Sequence, residues 1–225
     1  MSPFLVFFIF MRISRMLALM RREADARGAP VHGVGPAVRG SPFRILVFTL
    51  LSARTKDETT IGAAKRLFAK AETPRAVVKL GEKRVAELVY PVGFYRTKAK
   101  HLVQACRALG KEHGGKVPDT LEGLMSLPGV GRKTANIVLN SAFGKPALGV
   151  DVHVHRISNR LGLVETKKPA ETEKALMEIL KKSQVRTFNH VLVAFGQTVC
   201  RPKAPLCPEC PLKKECPKIG VKRRR

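Results

Sequence analysis

The stretch LPGVGRKTANIV, residues 127 to 138, constrains the fold more than any other part of this chain. Before it, Leu121, Leu124 and Met125 recur at helical spacing; after it, Ala135, Val138, Leu139 and Ala142 do the same. Two amphipathic helices therefore meet at LPGVG. Gly129 and Gly131 permit backbone conformations and a close approach that a Cβ would obstruct. The N–H groups of the turn and the positive end of the second helix then point outward, an arrangement suited to gripping a phosphate. Pro128, Gly129, Val130, Gly131 and Arg132 are read as a nucleic-acid-binding hairpin, with an ordinary helix connection as the alternative.

Charge favours the first reading. Forty-two Lys and Arg against seventeen Asp and Glu leave a formal charge of +25, more than solubility requires and spread along the chain instead of confined to the terminal KRRR. A polyanionic partner follows, and nucleic acid suits a folded basic surface better than a membrane does. The apolar run from Phe4 to Met11 is too short to span a bilayer and lacks the basic start and small-residue cleavage site of a signal peptide. It is read as a disposable extension, with Met11 and Met16 as alternative starts.

Helical signals dominate the rest, and no convincing strand alternation occurs. Ser41 and Thr73 each precede a proline, a cap followed by a first helical residue. Asp57 is expected to cap the next helix, and a short one begins after Gly81. A longer helix runs from about Tyr95 toward the paired Gly114 and Gly115, and Asp119 with Glu122 is expected to form a capping box. Further helices are predicted near 133–143, 151–161, 170–182 and 187–199. The fold class is all-α.

Lys133 directly follows the hairpin, beside Arg132 and at the positive end of a helix. Both surroundings disfavour an ammonium, and an uncharged amine is a nucleophile. A simple phosphate contact is the competing role. Asp151 opens a later helix in GVDVHVHRISNRLG, with Val154, Ile157 and Leu161 facing inward. It is either an N-cap or a carboxylate that stabilises a developing oxocarbenium ion at a sugar C1′. Lysine and carboxylate together would make a covalent glycosylase. His153 and His155 are read as packing or phosphate contacts.

Four of the five cysteines, Cys200, Cys207, Cys210 and Cys216, follow the spacing C-x6-C-x2-C-x5-C. They form a closed, structural metal site in a reducing, intracellular compartment, with zinc the default for four cysteines and iron–sulfur the alternative, a choice that spacing alone does not decide. Cys106, isolated in KHLVQACRALG, is read as a buried helix residue.

Taken together, LPGVGRKTANIVLNSAFGKPALGVDVHVHR and the cysteine spacing resemble the endonuclease III family of DNA glycosylases, helix-hairpin-helix proteins with a glycine-proline-aspartate region. SPFRILVFTLLSARTKDE and YPVGFYRTKAKH extend the resemblance over roughly residues 14–218. It implies a [4Fe–4S] cluster on the four cysteines, Lys133 as the Schiff-base lysine and Asp151 as the essential aspartate. It also implies two lobes with the active site in the cleft between them. Residues 1–13 would be the extension, 14–34 a helix of the cluster lobe, 35–145 a six-helix barrel lobe, 146–218 the rest of the cluster lobe and 219–225 a basic tail.

The implied activity is that of a bifunctional DNA glycosylase and AP lyase of base excision repair. It would act as a monomer on double-stranded DNA containing oxidised pyrimidines or abasic sites, in the cytoplasm and on the nucleoid if the source is prokaryotic. Two loops, containing Arg54 and Phe94, would fill the gap left by an extruded base. Arg54 stands where most relatives carry glutamine, and arginine can donate two parallel bonds to guanine, so a preference for lesions opposite guanine is expected. The alternatives at this stage are a uracil or thymine mismatch glycosylase and a non-catalytic DNA-binding module.

Overall fold

The computed structural model describes residues 3–38 and 41–222, and the side chains of residues 3–11, 36 and 37 are not described. The first two residues of the apolar extension and residues 223–225 of the basic tail lie outside the described residues. Among those described there is no strand, and the fold is all-α.

The helices are α1 (Pro3–Ala26), α2 (Val34–Val38), α3 (Pro42–Ser52), α4 (Asp57–Phe68), α5 (Pro74–Val89), α6 (Tyr95–Glu112), α7 (Leu121–Met125), α8 (Arg132–Phe143), α9 (Val152–Arg160), α10 (Pro169–Ile179) and α11 (Lys182–Thr198), with a 3-10 turn at Pro30–Gly33. The chain divides into two compact units. The first joins the segment through His32 to the segment from Leu148 onward, and the second is Gly33–Ala147.

The second unit contains α2 to α8. Its core combines Leu46, Val47 and Leu51 of α3 with Leu67 of α4, Leu102 of α6 and Val138 of α8, each essentially inaccessible to solvent. Local chemistry sets the helix boundaries. Ser41 accepts from the N–H of Arg44 and Thr73 from that of Ala76, each ahead of a proline that needs no donor partner. Gly81 breaks α5 at φ 73°, ψ 168°, so a second helical piece starts after it. At the end of α6, Gly114 and Gly115 adopt left-handed φ values, and the Gly115 N–H returns to the Leu109 carbonyl.

Two predicted caps and one predicted core residue differ from what forms. Asp57 is the first residue of α4, preceded by Lys56, which makes no side-chain cap bond. Thr120, not Asp119, caps α7 by accepting from the Gly123 N–H, while Asp119 pairs with Lys145 at 2.7 Å. Thr120 is the better-placed oxygen once α7 starts at Leu121, which leaves the Asp119 carboxylate free to reach across. Met125, expected to face the core, is 44% exposed, because α7 is a single turn with only Leu124 fully buried.

The first unit is built around α1 and α11, which pack on each other. Ile13, Met16, Leu17 and Met20 of α1 meet Phe188, Leu192 and Phe195 of α11, and Val154 and Ile157 of α9 complete the same core. Helix α1 is continuous from Pro3, so the backbone of the apolar extension runs into the helix expected from residue 14. Helix α11 begins at Lys182, five residues before the predicted 187, because Val185 belongs to the buried face. No helix among the described residues is long and apolar enough to cross a membrane.

Candidate active site

The hairpin is a property of the second unit. Leu127 and Val130 are buried and anchor it, and the Val130 N–H donates to the Leu127 carbonyl at 3.0 Å. Pro128 is half-buried, whereas Gly129, Gly131 and Arg132 are exposed. Gly129 has φ 80°, and a Cβ there would lie 2.9 Å from the Cβ of His101, so both its backbone and its surroundings require glycine. Gly131 differs from expectation. Its φ of −92° suits any residue, and a Cβ would meet nothing within 4 Å. Its significance is electrostatic: as N-cap of α8, Gly131 supplies no side-chain cap bond. Lys133 is the second residue of α8 and half-buried.

Arg54 and Phe94, forty residues apart in sequence, are brought together in the same unit. Both are exposed non-glycine residues in the left-handed region, at φ 54° and 57°, and the Arg54 guanidinium lies 5.9 Å from the centre of the Phe94 ring.

Asp151 belongs to the first unit, where it caps α9. Its Oδ1 accepts from the N–H groups of His153 (2.8 Å) and Val154 (2.9 Å), and among the described residues Oδ2 accepts no hydrogen bond. The cap and the reactive carboxylate are thus compatible roles for one side chain. His155 Nδ1 lies 2.7 Å from the Thr172 hydroxyl, and His153 Nδ1 lies 3.2 Å from Arg156 Nη2, so both rings have protein partners.

The opposite end of α9 reaches the cysteine loop. Arg160 Nη1 donates to Cys200 Sγ at 3.4 Å and to the Arg201 carbonyl at 2.7 Å, and Nη2 donates to the Pro202 carbonyl at 2.9 Å. Arg156 Nη2 donates to the Cys200 carbonyl at 2.9 Å. All four cysteines line one pocket with apolar walls from Ile157, Phe195, Leu206 and Leu212. None forms a disulfide.

Burial pushes the Cys210 thiol up to about 11 and raises Cys216, and like charge from the neighbouring thiolates adds to both shifts. Four thiolates in one half-buried pocket need a cationic centre to neutralise them, so this donor set fits a thiolate-bound metal group. Among the described residues no three His, Cys, Asp or Glu side chains are gathered tightly enough to hold a single ion.

Residues 47–182 match the model of the HhH-GPD superfamily of base excision DNA repair proteins, more than half of the chain. The chain belongs to the endonuclease III family. It is 51% identical to the endonuclease III of Thermotoga maritima over 175 residues, 78% of this chain and 82% of that protein. The Escherichia coli endonuclease III is 36% identical over 176 residues, 78% of this chain and 83% of that protein. A solved non-covalent endonuclease III–DNA complex superposes with a TM-score of 0.82 at 35% identity, covering 92% of this chain and 95% of that one. A trapped covalent endonuclease III–DNA intermediate matches with the same scores and coverage. As a member of the endonuclease III family, the chain is a DNA N-glycosylase with AP lyase activity.

Sequence reasoning missed Lys98, Arg156 and Arg160. The signal lay in the helix stripes. Lys98 is in line with buried Leu102, Ala105 and Leu109 of α6, and Arg160 with Ile157 and Val154 of α9. A cation on a core-facing stripe is costly unless oxygens receive it, and both side chains have found such acceptors.

Proposed function

We propose that this chain removes oxidised pyrimidines such as thymine glycol from duplex DNA, with Lys133 as nucleophile and Asp151 as the supporting carboxylate. The observation that carries the assignment is the position of Lys133. Lys133, a half-buried residue, stands on the first turn of a helix whose N-cap, Gly131, makes no side-chain bond, directly after the exposed Gly129 and Gly131.

In this reading the basic surface collects DNA, and the Pro128–Arg132 turn holds a backbone phosphate. The damaged nucleotide leaves the stack before chemistry at its sugar. The Lys133 Nζ lone pair attacks C1′, and the C1′–N bond breaks with its electron pair going to the departing base, which takes up a proton. Asp151, with Oδ1 engaged by two N–H groups, offers Oδ2 to stabilise the positive charge developing on the sugar. Opening of the sugar ring gives an imine. Loss of the acidified C2′ proton then expels the 3′ phosphate by β-elimination, and water releases the lysine. Arg54 and Phe94 fill the vacated space and Arg54 meets the unpaired base, with lesions opposite guanine preferred. The chain acts as a monomer.

The four cysteines are assigned a [4Fe–4S] cluster. Family membership and the shared apolar pocket support this. A bound cluster supplies iron–sulfur bonds that tie the loop after α11 to the core of its unit, and Arg160 orients Cys200 for that role.

Borohydride reduction on duplex DNA carrying thymine glycol opposite guanine tests the mechanism. The intact chain is expected to give a covalent protein–DNA adduct that Lys133→Ala abolishes, while Asp151→Asn slows base loss. Undiminished trapping in Lys133→Ala would remove the lysine from the mechanism.

A further inference from the structure

Lys98 lies half-buried on α6, and its ammonium donates to the Leu51 carbonyl at 2.7 Å, to the Ala53 carbonyl, and to the Thr55 hydroxyl at 3.1 Å. A lysine that only closed the end of α3 would need the two carbonyls and nothing more. The third contact leads elsewhere. Thr55 Oγ1 also accepts from the Gly93 N–H at 3.2 Å, joining the loop after α3 to the turn before α6. Gly93 is held so close that a Cβ on it would lie 2.9 Å from the Arg54 carbonyl oxygen. Arg66 of α4 braces the same turn from its other side, donating to the Leu88 carbonyl at 2.9 Å and to the Tyr90 carbonyl.

The residues that this scaffold presents are Arg54 and Phe94. Both are exposed, both are left-handed without being glycine, and they lie against each other. Such conformations persist only where the surroundings over-determine them. Burial pushes Lys98 down to about 8, so the oxygens around it are needed to keep its ammonium in place.

We propose that Lys98 is a positioning residue for lesion recognition, fastening the Arg54 loop and the Phe94 turn into one rigid platform that fills the space an extruded nucleotide leaves in duplex DNA. This rests on the repair function proposed above. Lys98 itself touches neither the lesion nor the opposing base; it acts through Thr55 and Gly93.

The test uses the full chain and three kinds of duplex: one with thymine glycol opposite each of the four bases, one with a preformed abasic site, and one with 2-aminopurine opposite an abasic-site analogue, whose fluorescence reports unstacking. For Lys98→Met, single-turnover base removal is expected to fall about ten- to a hundredfold, the range for misplaced positioning groups, while cutting at preformed abasic sites falls less than about threefold. Differences among the opposing bases flatten, the fluorescence change on binding is lost, and Lys98→Arg restores part of each.

Thr55→Val keeps both carbonyl contacts of Lys98 and should move the same readouts in the same direction by a smaller factor. If Lys98→Met does not fold, Thr55→Val decides. An unchanged opposing-base pattern and fluorescence response in a folded variant overturns the proposal. A wild-type chain that gives the fluorescence response but no base removal and no trapped adduct would overturn the repair chemistry instead.

Discussion

Replacing Gly129 by alanine tests whether the hairpin turn is shaped by its own backbone. At φ 80° an alanine enters a region that disfavours an L side chain by about 1–2 kcal/mol. The new Cβ would also meet His101 at 2.9 Å from Cβ and 3.0 Å from Nδ1. A rotamer change relieves the second contact but not the first, so the backbone must shift, for which overpacking adds about 1–3 kcal/mol. The sum is roughly 2–5 kcal/mol, of which the turn can relax a part.

Gly131→Ala, two residues on, is the control. Its φ of −92° and open surroundings leave only the poorer capping of alanine, about 0.5–1 kcal/mol. Thermal unfolding followed by circular dichroism separates the two, since about 1 kcal/mol shifts a chain of this size by roughly 2–4 °C. A drop of roughly 5–12 °C is expected for Gly129→Ala and under about 4 °C for Gly131→Ala. Equal shifts, or a larger one at Gly131, would refute the geometric argument.

Thr120→Ala should destabilise the second unit by about 1 kcal/mol, the usual loss for a cap, whereas Asp119→Ala leaves its melting temperature unchanged within error. Burial pushes Cys106 up to about 12 from an unfolded value of 9.0, so in that window the unfolded chain loses a proton that the native chain keeps. The contribution is intact below pH 9.0 and lost as pH rises toward about 12; Cys106→Val should flatten this alkaline decline in a pH series of melting curves, and an unaltered slope would exclude the thiol as its source. Cys210→Ser, or iron removal from the intact chain, should abolish iron absorbance and expose residues 200–216 to protease while the second unit stays helical; a metal-free chain that resists protease and binds DNA as before would show that the loop needs no metal.

Much of the fold was legible because caps and stripes are local. Ser41, Thr73, Gly81 and Gly114 each act within a few residues of themselves, and the expected elements form there. The failures share one cause, which is choice between neighbouring oxygens or between alternative ends of a stripe. Asp119 and Thr120 are both good caps in isolation, and only the reach of Lys145, contributed from beyond α8, separates them. Helix α11 was expected too late because Gln184 and Val185 meet α1, a partner more than 160 residues away in sequence.

The candidate site followed the same division. Lys133, Asp151 and the four cysteines are singled out by residue type and spacing. Arg160 and Lys98 matter through what they touch, and carbonyls at residues 51, 53, 201 and 202 leave no mark in side-chain identity.

The pairing of α1 with α11 has a consequence for how the chain is made. Helix α1 is translated well before α11, the helix that covers Ile13, Leu17 and Met20. In the interval the whole of Gly33–Ala147 emerges and can close its own core, since domains fold as units during synthesis. The apolar face of α1 therefore waits, exposed, through most of translation, and it is on this face, more than on the site residues, that a nascent chain would meet a chaperone or a second copy of itself.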